Sequence, residues 1–140
     1  MTEFRGKPLV QALLLSETVI RGQDGKNSVV NIFDRLLVPQ FPATHQACAV
    51  YGRILDASPG TKFTVQFVDT ANGRVVLESP PIVVQPDFEP RNAYDVIYQF
   101  FAIQLEHAGR YEFRLFADGL FLAHVVLNVE QHPGAGGSNR

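Results

Sequence analysis

The sequence predicts an all-β protein, an antiparallel two-sheet sandwich of the immunoglobulin-like type. Apolar residues recur mostly at every second position, which is the period of strands with one buried face. Turn dipeptides and Gly- or Pro-rich clusters interrupt the chain roughly every 8 to 12 residues, and no convincing helix alternates with the strands. These observations predict about eight short strands in two packed sheets. A jelly roll and an open barrel are the alternatives.

Size and composition predict one domain with one core. The chain has 140 residues, of which 46% are hydrophobic and 19% charged. We expect the domain at residues 9–131, a flexible N-terminus at 1–8, and a flexible tail at 132–140, where no apolar residue is larger than Ala. No apolar run approaches the ~20 residues that span a bilayer, and no secretory signal is recognisable. A cytoplasmic protein without a membrane partner is therefore expected.

The first strands form a hairpin followed by a long connection. Asp24-Gly25 separates QALLLSETVIR from SVVNIF, and this dipeptide tolerates the positive φ of a tight turn. Residues 34–46 contain two prolines, which cannot donate to a central ladder, so we expect a connection that crosses an edge of the fold. The next strand is ACAVYGRIL, from Ala47.

Two more hairpins follow. Residues 61–69 alternate apolar and polar side chains and are joined by Asn72-Gly73 to RVVLES. A second Pro-rich crossing at 80–90 encloses a possible edge segment at 82–84. Residues 93–106 fit a buried strand, although a short helix nearly fits as well; the Tyr, Val, Ile and Phe content favours the strand. Residues 110–117 and LFLAHVVLNVE are joined by Asp118-Gly119.

A tyrosine near the start of one strand supports the immunoglobulin-like prediction. Tyr111 closely follows Gly109 and lies two residues before the core-facing Phe113. This arrangement is typical of a tyrosine corner, in which the hydroxyl bonds to the backbone a few residues upstream. The alternative is that Tyr111 is simply a core aromatic residue.

Composition and motifs exclude several classes of function. Twelve basic against 14 acidic residues give a net charge of -2, which does not attract nucleic acid. The single cysteine excludes an intrachain disulfide and zinc sites with two thiolates. No phosphate-binding loop, nucleophile elbow or H-E-x-x-H motif is present, and the acidic turn residues are scattered rather than convergent. We expect no catalytic residue, no metal and no cofactor, and hence no enzyme.

The histidines and the cysteine are the weak candidates for chemistry. Cys48 shares its strand face with apolar residues, so we interpret it as a small buried hydrophobe rather than as a nucleophile. An enzyme would need His45 to meet Cys48, or His107 or His124 to meet a carboxylate. For His124 we favour a satisfied interior or edge position.

The chain has more apolar surface than one two-layer core needs, which predicts a contact with another protein or with a second copy. The alternative is that the Pro-rich crossings cover this surface within one molecule. A second alternative is a small-ligand or carbohydrate-binding module that stacks its ligand on three of the tyrosines in a concave pocket. Asp34 and Arg35 are candidates for a recognition patch, or for anchoring the connection that follows. The candidate interface residues are Tyr51, Tyr94, Tyr98, Phe116, Asp34 and Arg35.

Several short motifs, mostly turns and strand ends, resemble those of a family of small uncharacterised bacterial proteins. They are ALLLSE from Ala12, NIFDR ending at Arg35, Phe41-Pro42, D-x-x-N-G-R at 69–74, and GRYEFRLFADG from Gly109. The likeness extends from about residue 12 to residue 130. It implies a single β-sandwich in a bacterial cell, carries over no catalytic residue, and leaves the function open.

Overall fold

The computed structural model describes residues 7–132, and within them it has ten strands and no helix. The flexible ends predicted for the chain fall largely outside this range. The strands are β1 (Leu9–Arg21), β2 (Asn27–Ile32), β3 (Arg35–Val38), β4 (Ala43–Leu55), β5 (Lys62–Asp69), β6 (Arg74–Glu78), β7 (Ile82–Val83), β8 (Tyr94–Leu105), β9 (Gly109–Ala117) and β10 (Leu120–Gln131).

The strands form two packed sheets. One has the order β2-β1-β4-β8, and the other has the order β3-β10-β9-β5-β6 with β7 also paired to β5. Neighbouring strands are antiparallel except for β3, which is parallel to β10. The first two strands therefore belong to one sheet, and the chain crosses to the other sheet at β3. The predicted immunoglobulin-like sandwich is confirmed.

The core lies between the two sheets and contains the alternate residues that the pattern of β5 predicts. Phe63, Val65 and Phe67 are completely buried. The Phe113 ring lies 4.6 Å from Phe67 and 5.3 Å from Phe100 of the opposite sheet, so aromatic contacts join the two layers.

All three predicted hairpins are present, and each has a glycine at positive φ in its turn. Gly25, Gly73 and Gly119 have φ of 83°, 72° and 81°. Residues without a Cβ adopt this conformation without steric cost. β7 also lies within the predicted edge segment, and the ambiguous segment at 93–106 forms β8.

The prediction for residues 34–46 was wrong in part. This segment contains β3, and β4 begins at Ala43 rather than at Ala47. The strand has only four residues, too few to show a period, and its parallel partner β10 lies more than ninety positions away. Pro39 and Pro42 remain outside the strands, as expected of residues that cannot donate to a ladder. The number of strands is accordingly ten rather than about eight.

The β1–β2 hairpin folds across the outward face of its own sheet. The Asn27 amide, at the start of β2, donates to a carboxylate oxygen of Asp95 on β8 at 2.7 Å. Since β2 and β8 are the two outer strands of this sheet, the contact requires the hairpin to cross it. The outward-facing Ala49 and Tyr51 are consequently 0% and 8% exposed. This hairpin thus covers part of the excess apolar surface. The sequence interpretation did not anticipate that role for the hairpin.

The second Pro-rich crossing covers another part of the excess apolar surface. This agrees with the alternative that the Pro-rich crossings cover it within one molecule. Phe88 of this crossing meets Tyr94 edge to face at 4.9 Å. Tyr94 also stacks on Phe63 at 6.0 Å. The crossing therefore closes one side of the sandwich next to β8.

Candidate functional site: the outward face of the larger sheet

The outward faces of β9 and β10 carry aromatic and charged side chains that lie next to one another. Arg114 is opposite His124, and Phe116 is opposite Phe121. Glu112 lies two residues before Arg114 on the same face. We call these five residues, Glu112, Arg114, Phe116, Phe121 and His124, the aromatic–arginine patch. They line a shallow hollow of about 410 Å³.

Glu112 organises the charges of the patch. Its carboxylate accepts hydrogen bonds from Arg114 Nε at 2.9 Å and from Arg110 at 3.1 Å, and His124 Nε2 lies 3.8 Å away. Burial alone raises the pKa of the Glu112 carboxyl, but the hydrogen bonds from Arg114 and Arg110 outweigh burial and lower this pKa. The ionised carboxylate therefore holds two guanidinium groups in fixed positions on the sheet.

The aromatic side of the patch is partly open to solvent. Phe116 and Phe121 meet edge to face, with ring centroids 5.9 Å apart. Phe121 also stacks on His124 at 6.2 Å and is 45% exposed. The exposed Phe121 ring thus lies in the same patch as the Arg114 guanidinium that Glu112 holds in position. Aromatic residues and arginine together are typical of surfaces that contact another protein.

Of the predicted interface residues, Asp34 and Arg35 lie at one end of the sandwich beside a second hollow of about 580 Å³. Arg35 pairs with Glu130 at 2.9 Å, and the Asp34 carbonyl accepts from the Asn128 backbone at 2.8 Å. These contacts attach the start of β3 to β10. They match the anchoring role that was the alternative to a recognition patch for this pair.

The three tyrosines do not form a stacking platform. Tyr51 is 8% and Tyr98 5% exposed, and the Tyr98 hydroxyl donates to the Phe63 carbonyl inside the sandwich. Tyr94 packs between Phe63 and Phe88. Among the predicted residues, Phe116 alone belongs to the aromatic–arginine patch, and the sequence interpretation missed Arg114, Glu112, Phe121 and His124 as its neighbours.

One histidine does meet a carboxylate at close range. His107 Nε2 lies 2.6 Å from Asp69 Oδ2, and its Nδ1 lies 2.7 Å from the Ala108 carbonyl. The hydrogen bond to Ala108, followed by the one to Asp69, raises the pKa of the His107 imidazole. Both ring nitrogens face acceptor oxygens at hydrogen-bond distance, so neither points freely toward a substrate. This pair joins the end of β5 to the loop between β8 and β9.

The tyrosine corner is confirmed. The Tyr111 hydroxyl donates to the His107 carbonyl at 2.7 Å. The same ring stacks on Phe67 at 5.2 Å and is 1% exposed, so Tyr111 is a core aromatic as well. The two interpretations of this residue do not exclude each other.

Cys48 and His45 do not form a nucleophilic pair. Cys48 is completely buried, and burial raises the pKa of its thiol to about 12, so the thiol stays protonated at neutral pH. The His45 ring packs against Phe33 at 6.0 Å. Residues 7–132 contain no group of three or more His, Cys, Asp or Glu side chains that could hold a metal ion. The same residues include no helix able to cross a membrane.

The two-sheet topology and the tyrosine corner define an immunoglobulin-like β-sandwich domain. By sequence, the chain belongs to a family of unknown function, DUF6941, which matches residues 11–130. The resemblance seen in the turn motifs is thereby confirmed. A comparison with curated proteins gave no match.

Two solved structures are similar in fold. The alkylpurine DNA glycosylase AlkC of Pseudomonas fluorescens, bound to DNA containing an abasic site analog, has a TM-score of 0.51 and 7% identity. The match covers 88% of this chain but only 30% of the glycosylase. An immunoglobulin-like protein from Pseudomonas aeruginosa has a TM-score of 0.47 and 12% identity, with 90% and 98% of the two chains covered. At 7% identity the likeness to the glycosylase concerns the fold alone.

Proposed function

We propose that this protein is a non-enzymatic immunoglobulin-like domain that acts through protein–protein contacts, with the aromatic–arginine patch as its binding surface. Its role would be that of a homo-oligomer or of an accessory subunit in a bacterial assembly. The observation that carries the proposal is the exposed Phe121 ring beside the Arg114 guanidinium that Glu112 fixes in place.

Two physical features support this use of the patch. Aromatic residues and arginine are enriched at protein interfaces and supply most of the binding energy there. In addition, Glu112 already restricts Arg110 and Arg114 before any partner arrives. Less side-chain entropy is then lost on association than with free arginines.

The other classes of function have weaker support. A carbohydrate or small-ligand module would need exposed stacking tyrosines, whereas Tyr51 and Tyr98 are buried. An enzyme would need a free base or thiolate, whereas His107 is engaged at both nitrogens and the Cys48 thiol is buried. Nucleic-acid binding has little electrostatic support, because the net charge is -2 and Glu112 offsets part of the charge of Arg110 and Arg114.

A cytoplasmic location in a bacterial cell is part of the proposal. It is supported by the resemblance of the turn motifs to bacterial proteins and by the one free, buried thiol of Cys48. Reduced cysteines are usual in cytosolic proteins, whereas secreted domains of this size often contain disulfides.

The test is quantitative capture of partners by the tagged full-length protein from a lysate of its source organism. We expect Phe121→Ser and Arg114→Ala to reduce capture of one identified protein by at least about tenfold, as for central interface residues. Val83→Ser is the matched control, because Val83 is 50% exposed but lies on β7, away from the patch. Equal capture by all four proteins, or no capture by any together with a monomeric mass in light scattering, would contradict the proposal.

A further inference from the structure

β8 is an outer strand with a free edge. It has 12 residues and pairs with β4 on one side, and no strand within residues 7–132 pairs with its other side. The outer strands β2 and β6 are much shorter, with six and five residues. A long row of unpaired backbone N–H and C=O groups is a template for a strand from another chain.

β8 also lacks two of the devices by which proteins usually protect such an edge, proline and cationic side chains. Residues 94–105 contain no proline and no lysine or arginine. Asp95 is their one charged residue, and it is already paired with Arg53 at 3.1 Å. Phe101 is 68% exposed, the highest exposure among the large hydrophobic residues that the structure describes.

The side chains on the outward face of β8 are self-complementary. Ile97, Gln99 and Phe101 follow one another on this face, opposite Tyr51, Ala49 and Ala47 of β4. In an antiparallel pair with a two-fold axis at Gln99, Ile97 lies opposite Phe101 of the second copy, and this contact occurs twice. Gln99 of one copy lies opposite Gln99 of the other, and no two charged residues lie opposite each other in the paired segment. Apolar pairs directly opposite each other stabilise antiparallel strands.

A local irregularity restricts how the strands can pair. Ala102 has a positive φ of 53°, and the strand reverses its faces there, because Phe101 faces outward whereas Ile103 is 1% exposed in the core. A pairing that extended past Ala102 would place inward and outward side chains on the same face. Centring the axis on Gln99 confines the paired segment to residues 96–102.

We propose that two copies of this chain pair antiparallel through the free edges of β8, about a two-fold axis at Gln99. The two four-stranded sheets then become one continuous eight-stranded sheet. This contact is separate from the proposed binding surface, because the aromatic–arginine patch lies on the other sheet, so variants of the two surfaces test the two proposals separately.

The first test measures the mass of the full-length protein by size-exclusion chromatography with light scattering. The protein concentration runs from about 1 µM to about 1 mM, because a dimer with a small interface forms in this range. We expect a dimer, and we expect Phe101→Lys to raise its dissociation constant at least about tenfold, since the change occurs twice. Because Phe101 is exposed, we expect the fold to tolerate this change. A far-ultraviolet circular dichroism spectrum that matches the wild type checks this. Val83→Lys is the matched control, because Val83 is 50% exposed on β7 of the other sheet and lies outside the aromatic–arginine patch, and it leaves the dimer intact. A monomer at every concentration, or a dimer lost with Val83→Lys but kept with Phe101→Lys, would overturn the inference.

The second test fixes the register. In a dimer centred on Gln99, the Cβ atoms of the two copies at this position are about 4.5–5.5 Å apart, near the range that a disulfide spans. Gln99→Cys should therefore form a cross-linked dimer on mild oxidation. Gln104→Cys, exposed on the same strand but outside the paired segment, should not. The buried Cys48 contributes no thiol. Cross-linking at 104 but not at 99 would rule out this register.

Discussion

The Asp69 side chain connects two loops that are far apart in the sequence. Its Oδ1 accepts the Ala71 backbone N–H at 3.0 Å, which shapes the turn after β5, and its Oδ2 meets His107. The D-x-x-N-G-R motif announces the turn, because Asp commonly accepts backbone hydrogens there. The contact with His107, 38 positions away, has no local signal and becomes visible only when β5 and β9 are placed side by side.

The His107–Asp69 pair makes stability depend on pH. The folded state raises the pKa of His107 above its unfolded value of about 6.5. The resulting stabilisation is complete below the unfolded pKa and is lost as pH rises through the folded pKa. We expect His107→Gln to lower the free energy of unfolding more at about pH 5 than at about pH 9. Urea unfolding at both values measures the difference, and Asp69→Asn should diminish it. An equal effect at both pH values would mean that His107 titrates normally.

The Tyr111 hydroxyl and the Tyr111 ring can be separated by mutation. Tyr111→Phe removes only the hydrogen bond to the His107 carbonyl and should lower the free energy of unfolding by about 1 kcal/mol. Tyr111→Ala also removes the stacking on Phe67 and should cost about 3–5 kcal/mol. Chemical denaturation of both variants gives the two values. If Tyr111→Phe matched the wild type, the corner would contribute nothing to stability.

Strands with many residues and a local turn could be predicted from the pattern, whereas those defined by a distant partner could not. β5, β9 and β10 show alternation over a whole strand, and hairpin dipeptides join β5 to β6 and β9 to β10, so these strands and these two pairings follow from nearby sequence. β3 has four residues between prolines, and its parallel partner comes from the other end of the chain. Its strand conformation is a consequence of tertiary pairing rather than of local pattern.

β4 and β8 meet closely at Gly52, and this contact can be tested. A Cβ atom at this position would lie 2.8 Å from Val96 Cγ2, and valine has little rotamer freedom to move away. We expect Gly52→Ala to lower the free energy of unfolding by about 1–3 kcal/mol. Val96→Ala removes the clashing methyl, so the double variant should be more stable than the sum of the single changes predicts, by at least about 0.5 kcal/mol. Additive effects in urea unfolding would contradict this account.

At the scale of the whole molecule, the sequence showed that apolar surface was in excess but not where each part of it goes. Tyr51 and Phe101 both belong to the outward phase of their strands, yet they are 8% and 68% exposed. The difference arises from the β1–β2 hairpin, which folds toward Asp95 and covers the sheet on that side. Strand alternation identifies a face but contains no information about a hairpin that crosses it. The choice between an intramolecular cover and a partner therefore required the tertiary structure.

The folded-over hairpin should open as a unit that is less stable than the rest of the sandwich. Asn27→Ala removes its hydrogen bond to the Asp95 carboxylate, and bonds to charged groups contribute about 1.5–3 kcal/mol. Native-state hydrogen exchange should then accelerate in residues 17–32, while the central strands β4 and β9 keep their protection, because local opening does not require global unfolding. Ser28→Ala, at an exposed position of the same strand, should leave the pattern unchanged. Uniform acceleration across both sheets would show instead that the hairpin and the sandwich unfold together, and that the cover over Tyr51 is an integral part of the core.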